Sequence, residues 1–273
     1  MKTMTNTNLT VLVTGGTSGI GAALVRKLAD RGCTVLTTSR DPERIPQSER
    51  IPGVRYLQLD LADLDSVESL GAELGTVDVL VNNAGESQSG PFEELPSDAI
   101  DRLFHTNVFG PVRLSQLVLP GMRERGRGRI IMVGSMLASF PLAHRSSYVA
   151  SKAALRGFTT AARQELSPFG VWLSVVEPGS IATGIGNRRT KYLSPGSVYT
   201  EDVRTMLEHL DDNERGGISA ETVATTIVTA IEAARPREFY AVGSRAPLPF
   251  LLKRVLPRAV MSRIVAAQHG LKR

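Results

Sequence analysis

The sequence predicts an α/β protein, a single doubly wound domain built on a parallel sheet. Short β-branched runs alternate with longer amphipathic stretches, the runs are almost continuously apolar, and no repeat or low-complexity linker divides the chain. Apolar strands of this kind belong to parallel sheets that helices cover on both faces. We therefore expect ligands to bind beyond the carboxyl ends of the strands.

The predicted elements follow one another in a regular order. The strands are Thr10–Thr14, Thr34–Thr38, Val54–Leu59, Val77–Val81, Arg129–Val133, Val171–Val176 and Phe239–Val242. The helical stretches between them include Ile20–Arg31, Asp63–Leu74, Asp98–Arg125, Ser147–Ser167 and Ser219–Ala234.

Two stretches interrupt this alternation. Gly184 to Gly217 is long and polar and lies between a strand and a helix, as is typical of a lid over a binding site. The last segment, 244–273, is a basic amphipathic extension that Pro257 divides and that ends near Gly270. The sequence therefore predicts a domain over 9–243, with a lid at 184–217, followed by this extension.

Composition excludes several classes of protein. The chain has 273 residues, of which 42% are hydrophobic and 22% charged, as in an ordinary globular protein that buries a sizeable core. The single cysteine, Cys33, excludes an internal disulfide framework and cysteine-rich metal sites, so we expect no metal and a reducing, cytoplasmic location. Met1–Asn8 is too short and polar for a signal peptide, and no run of about 18 apolar residues predicts a spanning helix.

The net charge of +5 comes from the tail. Residues 240–273 contain seven basic side chains and no acidic one, which leaves 25 basic against 27 acidic residues in the rest of the chain. A nucleic-acid-binding body would spread its basic residues over a face or groove, so we expect no nucleic-acid partner.

A glycine-rich turn joins the first strand to the first helix. It reads Thr14-Gly-Gly-Thr-Ser-Gly-Ile-Gly21, and Gly15, Gly19 and Gly21 allow a tight turn and a close approach to a pyrophosphate. The helix that follows offers free N–H groups and a positive dipole end. The spacing GxxxGxG differs from the usual GxGxxG, and a mere tight turn is the alternative.

Two further strand ends carry polar residues. Asp60 could accept a hydrogen bond from an adenine amino group, or it could cap the helix that follows. Asn82-Asn83-Ala84-Gly85 leaves room for an adenine ribose, although taken alone this segment is better explained as a simple Asx turn.

Tyr148 and Lys152 are four residues apart near the start of a predicted helix, which places them on one face. Tyrosine is a poor acid–base catalyst at neutral pH because its unperturbed pKa is about 10. A fixed ammonium one turn away favours the phenolate, which suits proton exchange with a carbonyl or alcohol oxygen. The alternative is a pair on a solvated helix face.

Two other residues fit the same chemistry. Ser135 follows the fifth strand, and its hydroxyl could hydrogen-bond a substrate oxygen or merely cap a turn. Asn107 lies within a long helical pattern, where asparagine competes for backbone hydrogen bonds. A local disruption there could expose a carbonyl to a water near Lys152, and an ordinary surface asparagine is the alternative.

Taken together, these blocks resemble the short-chain dehydrogenase/reductase family in its compact single-domain form. The matching residues run in the family's order from about Leu9 to Val242: Thr14–Gly21, Asp60, Asn82–Gly85, Asn107, Ser135, Tyr148-Val-Ala-Ser-Lys152, Pro178-Gly179 and Thr183.

The resemblance implies a Rossmann-type fold with seven parallel strands and an oxidoreductase that moves hydride between a nicotinamide and an alcohol or carbonyl carbon. It implies that Tyr148 is the acid–base, Lys152 binds the nicotinamide ribose, Ser135 orients the substrate, Asn107 holds a relay water and Thr183 binds the carboxamide. The implied cofactor-binding residues are Gly15, Thr17, Ser18, Gly19, Ile20, Gly21, Ser39, Arg40, Asp60, Leu61, Asn83, Ala84, Gly85, Tyr148, Lys152, Pro178, Gly179, Ile181 and Thr183. A homodimer or homotetramer is also implied.

The second strand indicates which cofactor is bound. A fold that prefers NAD places an acid at this strand end to accept from the ribose 2′-hydroxyl. Ser39 stands there instead and Arg40 follows, a pair that suits a 2′-phosphate, so we expect NADP(H). Asp41 is the complication unless it points outward at the start of a turn, and Arg40 could be a solvated loop residue.

Several alternatives remain open. The same fold could serve as a non-enzymatic NADP(H)-binding sensor or scaffold, although a retired enzyme is free to lose its catalytic residues. Isomerisation or epimerisation with a retained cofactor is a further enzymatic possibility. The tail, with Leu248, Leu252, Val255 and Ala259 at helical spacing, either packs over the substrate cleft or contacts anionic lipid.

Overall fold

The computed structural model describes residues 9–182, 184 and 186–271, and a parallel sheet forms its centre. The strands are β1 (Thr10–Val13), β2 (Thr34–Ser39), β3 (Arg55–Gln58), β4 (Val79–Asn82), β5 (Gln88–Ser89), β6 (Gly128–Val133), β7 (Val171–Pro178), β8 (Thr190–Lys191) and β9 (Phe239–Val242). Seven of them form one sheet in the order β3-β2-β1-β4-β6-β7-β9, with every pair parallel. The seven predicted strands are confirmed, and their ends differ by at most two residues.

Helices cover both faces of this sheet. The α-helices of the described residues are α1 (Gly19–Ala29), α2 (Leu64–Glu73), α3 (Ser97–Phe104), α4 (Gly110–Glu124), α5 (Ser146–Leu166), α6 (Thr200–Arg215), α7 (Ala220–Glu232), α8 (Leu248–Val255) and α9 (Arg258–Gln268). Leu24 of α1 and Ile227 of α7 pack into the core on one face. Leu114 of α4 and Leu155 of α5 pack into the core on the other. Burial on both sides explains why the strands are almost continuously apolar.

The predicted helix Asp98–Arg125 is interrupted. Between α3 and α4, His105–Phe109 forms a single π-helical turn. One extra residue in a turn shifts the hydrogen-bond register without ending the helix, so the apolar pattern continues through it.

The stretch predicted as a long polar loop, Gly184–Gly217, contains a helix. In α6 only Val203, Met206 and Leu210 are buried, so the apolar signal rests on three positions. Acidic residues in its first turn, Glu201 and Asp202, suit the positive helix end. A second difference is the small parallel sheet of β5 and β8, which joins this stretch to the segment after β4.

The C-terminal extension folds back onto the domain. Pro257 separates α8 from α9, as predicted, and Gly270 adopts a positive φ of 71° just beyond α9. Met261 and Val265 of α9 pack with Met206 of α6 and with Met136 and Phe140 of the loop after β6. Among the helices of the described residues, none is both long and apolar enough to cross a membrane.

Candidate active site

The order of the strands reverses between β1 and β4, which run side by side, and a crevice opens beyond their carboxyl ends. The glycine-rich turn follows β1, and Asn83–Gly85 follows β4. Ser135 follows β6, the next strand, and α5 carries Tyr148 and Lys152. A Cβ added to Gly85 would lie 3.4 Å from Lys152 Nζ, so the segment after β4 adjoins the helix that carries the predicted acid–base pair.

The glycine-rich turn has no room for a side chain at Gly15 or Gly21. Gly15 has a φ of 68°, and a Cβ there would lie 2.9 Å from the Cβ of Ala84. A Cβ on Gly21 would lie 2.2 Å from the carbonyl oxygen of Gly15. α1 begins at Gly19, and the Ser18 side chain does not cap it. The turn is therefore compact, and the first N–H groups of α1 have no cap from the Ser18 side chain, as a phosphate site requires.

The segment after β4 supports that turn. Thr14 Oγ1 accepts hydrogen bonds from the backbone N–H groups of Asn83 and Ala84, each at 3.0 Å. Asn83 Nδ2 donates to the carbonyl oxygens of Thr14, at 2.9 Å, and of Gly15, at 3.2 Å. The Asn83 amide thus holds the glycine-rich turn in place, and its predicted contact with a cofactor stays a prediction.

Asn107 lies at the centre of the π-helical turn, so the predicted local disruption of the helix is present. Its Oδ1 accepts from the backbone N–H of Glu86 at 2.8 Å, and its Nδ2 donates to the Glu86 carbonyl oxygen at 3.0 Å and to Ser151 Oγ at 3.1 Å. These bonds exclude an ordinary surface asparagine. They tie α3–α4, the segment after β4 and α5 together, while the relay water stays a prediction.

Tyr148 and Lys152 lie near the start of α5, and both are buried. Lys152 Nζ lies 5.9 Å from the centre of the Tyr148 ring and donates a hydrogen bond of 3.0 Å to the carbonyl oxygen of Val133. A solvated helix face is thereby excluded. The ammonium is fixed at the end of β6, close to the phenol that it is predicted to assist.

Ser135 is two residues beyond Val133. Its Oγ accepts a hydrogen bond of 3.2 Å from the backbone N–H of Leu137 and so caps the short helical turn Met136–Ala138. The hydroxyl therefore does cap a turn. This bond uses the oxygen as an acceptor only, so it does not consume the O–H donor, and the predicted hydrogen bond to a substrate oxygen stays a prediction.

The end of β2 matches the expectation for Asp41. Ser39 is the last residue of the strand, and its Oγ accepts from the backbone N–H of Asp41 at 3.3 Å. The Asp41 carboxylate pairs with Arg44 at 2.8 Å and so belongs to the turn. Arg40 is exposed beside them.

Asp60 and Leu61 lie beyond β3. Asp60 Oδ1 accepts from the backbone N–H of Ala62 at 2.9 Å, but the helix cap of α2 is Asp63, whose side chain accepts from Asp65. The alternative that Asp60 caps this helix is therefore wrong. The Leu61 side chain is buried in the core, and a Cβ added to Gly110 of α4 would lie 2.5 Å from its carbonyl oxygen.

The last predicted group follows β7, which ends at Pro178. The backbone N–H of Gly179 donates to the Val242 carbonyl oxygen at 2.8 Å, and Ile181 pairs with Ile218 in a parallel bridge. Thr183 lies outside the described residues.

Three charged residues near this site were missed by the sequence analysis. The Arg145 guanidinium carbon lies 4.4 Å from the centre of the Tyr148 ring, a contact that the i, i+3 spacing could have signalled. Arg188, in the predicted lid, donates a hydrogen bond of 2.8 Å from Nη1 to Ser18 Oγ in the glycine-rich turn. Glu177 is fully buried at the end of β7, and nothing in its apolar run distinguishes it as functional.

Burial raises the pKa of Glu177 to about 7, although Arg156 and Ser139 oppose the shift. Arg156 Nη1 donates to Glu177 Oε1 at 3.3 Å, and Ser139 Oγ donates to Oε2 at 3.2 Å. Lys253 of α8 donates to the Ser139 carbonyl oxygen at 2.8 Å. A chain of polar contacts thus joins the C-terminal extension to the loop after β6.

Comparisons with known proteins agree with this geometry. The family model described as short chain dehydrogenase matches residues 9–193. The chain is 36% identical to 17-beta-hydroxysteroid dehydrogenase type 1 of Homo sapiens over 280 aligned positions, which cover 95% of this chain and 84% of that protein.

Solved structures are similar over nearly the whole chain. A short-chain dehydrogenase from Streptomyces avermitilis has a TM-score of 0.82 at 30% identity, covering 98% of this chain and all 100% of its own. A short chain dehydrogenase from Burkholderia cenocepacia J2315, in complex with NADP, has a TM-score of 0.75 at 25% identity, covering 94% and 97% of the two chains. The chain belongs to the short-chain dehydrogenase/reductase family, and it is an oxidoreductase acting on CH–OH or C=O groups.

Proposed function

We propose that the protein is an NADP(H)-dependent carbonyl reductase or alcohol dehydrogenase that interconverts a ketone and a secondary alcohol, with Tyr148 as its acid–base. The observation that carries the proposal is the buried pair of Tyr148 and Lys152 beside Gly85, at the crevice that the glycine-rich turn also borders. A buried phenol with a fixed ammonium nearby is suited to proton exchange at neutral pH.

The proposed chemistry uses four side chains. In reduction the O–H bond of Tyr148 breaks, the proton passes to the carbonyl oxygen of the substrate, and the electron pair stays on the phenolic oxygen. Ser135 donates a hydrogen bond to the same substrate oxygen. Lys152 keeps a positive charge near the phenol, and Asn107 positions the backbone that holds the relay water. Oxidation runs the same proton transfer in reverse.

The residues at the crevice fit a nicotinamide dinucleotide. The close approach of Gly15 and Ala84 leaves the backbone bare, and the N-terminus of α1 lacks a side-chain cap from Ser18, so its N–H groups suit a diphosphate. Arg188 brings a guanidinium to Ser18 at the same place. When bound, the cofactor supplies the hydride in reduction and accepts it in oxidation.

The preference for NADP(H) rests on Ser39 and Arg40. No acid stands at Ser39, and Asp41 is engaged with Arg44, so the exposed Arg40 guanidinium is the charge available to a 2′-phosphate. The related structure from Burkholderia cenocepacia was determined in complex with NADP. These observations support NADP(H) over NAD(H).

The lid, the assembly and the location are also proposals. We expect 184–217 to act as a lid over the domain 9–243, because Arg188 reaches from it to Ser18. We expect a homodimer or homotetramer through the long helices, because Phe109 beside Asn107 and Phe158 on α5 are 44% and 48% exposed. A cytoplasmic location agrees with the half-buried free thiol of Cys33.

A substrate panel tests the proposal. Ketones, quinones, steroids and hydroxyacyl thioesters are offered with NADPH, and loss of its absorbance is measured. Turnover of a carbonyl substrate with net consumption of NADPH supports the reductase. Tight NADPH binding without turnover of any class would favour a sensor or scaffold, and product formation without net consumption would favour an isomerase or epimerase.

A further inference from the structure

Arg145 is a buried cation next to the proposed acid–base. It is the residue that immediately precedes α5, and it is 3% exposed. Nη1 donates to Ser89 Oγ at 2.9 Å, and Nη2 donates to Ser87 Oγ at 3.1 Å, while Nε is buried without a hydrogen-bond partner. The polar partners of this guanidinium are therefore neutral hydroxyl groups.

The nearest carboxylates serve another cation. Asp211 and Glu214 of α6 both hydrogen-bond Arg189, whose side chain is also fully buried. Within the part of the chain that the structure describes, Arg145 forms no ion pair. Burying a cation without a direct counter-charge is costly, so its retention at this place needs an explanation.

The position of Arg145 increases that cost. It lies at the N-terminus of α5, where the helix dipole presents its positive end and disfavours a cation. Burial lowers the pKa of the Arg145 guanidinium to about 10, which still leaves it charged at neutral pH. Tyr148, Glu214 and Asp211 raise the pKa of Arg145 electrostatically and so oppose the effect of burial. The contribution of Tyr148 is the largest of the three.

The Tyr148 phenol lies where a counter-charge for Arg145 would form when the phenol loses its proton. The guanidinium carbon of Arg145 lies 4.4 Å from the centre of the Tyr148 ring, closer than Lys152 Nζ at 5.9 Å. A cation over the ring attracts the neutral phenol weakly and the phenolate strongly, and the low dielectric of a buried site strengthens the attraction.

We propose that Arg145 is a positioning residue that stabilises the negative charge left on Tyr148 when the phenol gives up its proton. This inference rests on the proposed function of Tyr148. Arg145 and Lys152 would then assist the same proton transfer from opposite sides in sequence, Arg145 from three residues before Tyr148 and Lys152 from four residues after it. Ser87 and Ser89 hold the guanidinium in place without neutralising it.

Other titratable groups surround the pair. They are Lys152 and His144 along the same segment, Arg189, Asp211 and Glu214 from the side of α6, and His269 after α9. Burial lowers the pKa of His269, so this side chain is neutral on the alkaline side of its usual 6.5. Burial raises the pKa of the Glu214 carboxyl, although the Arg189 guanidinium opposes the shift.

The test compares pH profiles of alcohol oxidation, in which the phenolate acts as the base and activity rises with pH. In Arg145→Met the rise should move to higher pH by about one unit or more, so that oxidation near neutral pH falls about tenfold. Arg145→Lys should largely keep the profile of the unmodified protein, because it keeps the charge. NADPH binding, measured by fluorescence, should change little in either variant.

Two controls separate charge from structure. Arg145→Lys keeps the positive charge, and Arg163→Met removes another guanidinium of α5 that lies 4.8 Å from the centre of the Trp172 ring, so neither profile should move far. An unchanged profile in a folded Arg145→Met, or an equal shift in either control, overturns the inference. Should Tyr148→Phe itself retain activity, the proposed function fails first, and the two failures are thus distinguishable.

A second measurement replaces Arg145→Met by Arg145→Gln, whose amide can still hydrogen-bond Ser87 and Ser89. In Lys152→Met, the phenolate absorbance that a further Tyr148→Phe substitution removes should appear at lower pH than it does in Lys152→Met/Arg145→Gln, because only the first protein keeps the guanidinium. Its appearance at the same pH in both proteins would show that Arg145 contributes nothing once Lys152 is gone, and the inference would be wrong.

Discussion

Lys152 Nζ and the carbonyl oxygen of Val133 are 3.0 Å apart, so the ammonium is fixed to the end of β6 and not merely carried by its own helix. Ser135 lies two residues further along. The bond therefore links the predicted base-assisting residue to the strand that delivers the predicted substrate-binding hydroxyl.

Lys152→Met should damage both NADPH binding and turnover. The ammonium is assigned to the nicotinamide ribose and to Tyr148, and loss of the second role alone should cost about 10²-fold in kcat. Binding is measured by NADPH fluorescence and turnover by steady-state kinetics. Lys27→Met on α1 is the control. A loss in only one of the two quantities would show that the division of roles is wrong.

Cofactor choice should follow Ser39 and Arg40. The unmodified protein should have a higher kcat/KM with NADPH than with NADH, and Ser39→Asp/Arg40→Leu should shrink or reverse the ratio, because a carboxylate repels the 2′-phosphate and accepts from a 2′-hydroxyl. Arg55→Leu removes an exposed guanidinium from β3 and should leave the ratio alone. Equal efficiencies in the unmodified protein would contradict the assignment without affecting Tyr148.

The C-terminal extension should bind anionic membranes if its outer face is a lipid-contact surface. Leu252 packs inward, but Leu248, Leu251 and Val255 are 52%, 52% and 75% exposed beside the basic residues of the tail. Flotation with anionic vesicles should recover the protein at low salt and lose it at high salt. Leu251→Asp/Val255→Asp should abolish recovery. If the protein shows no salt-sensitive binding to the vesicles, the lipid-contact hypothesis is wrong, and the extension serves only to pack against the domain as α9 does.

Glu177 should make the fold less stable as pH rises. Its pKa is about 7 in the folded protein against 4.5 for a free glutamate, so between these values the folded state holds a proton that the unfolded state has released. The free energy of unfolding should fall across this window by about 1.4 kcal/mol per pH unit for this one group. Glu177→Gln should flatten that slope in denaturant titrations. An identical slope in both proteins would mean that burial does not control this carboxyl.

Parts of this fold could be predicted from the sequence because the physical signal is local. The strands of the main sheet are apolar on both faces, and Pro257 and Gly270 mark the ends of helices in the tail. The glycine-rich turn could be predicted because its backbone requires glycine. A Cβ at Gly15 would collide with Ala84, and one at Gly21 would collide with the Gly15 carbonyl oxygen.

Other parts depend on contacts that no local pattern contains. α6 is mostly polar, since only Val203, Met206 and Leu210 of its sixteen residues are buried, and its composition is therefore close to that of a loop. The environment of Arg145 is set by Ser87 and Ser89, almost sixty residues earlier in the chain. The predicted solvated alternatives for Asn107 and Lys152 could be excluded only when Glu86 and Val133 were seen to bind them.

The central claim is that Tyr148 exchanges the proton, and Tyr148→Phe tests it most directly. The substitution keeps the buried ring and removes the hydroxyl. The matched control is Tyr240→Phe on β9, which removes a hydroxyl that accepts a hydrogen bond from the backbone N–H of Arg237. The kcat for carbonyl reduction with NADPH should fall by about 10²–10⁴-fold in Tyr148→Phe and hardly at all in Tyr240→Phe, with NADPH affinity unchanged in both. Full turnover by a folded Tyr148→Phe protein would contradict the proposed mechanism.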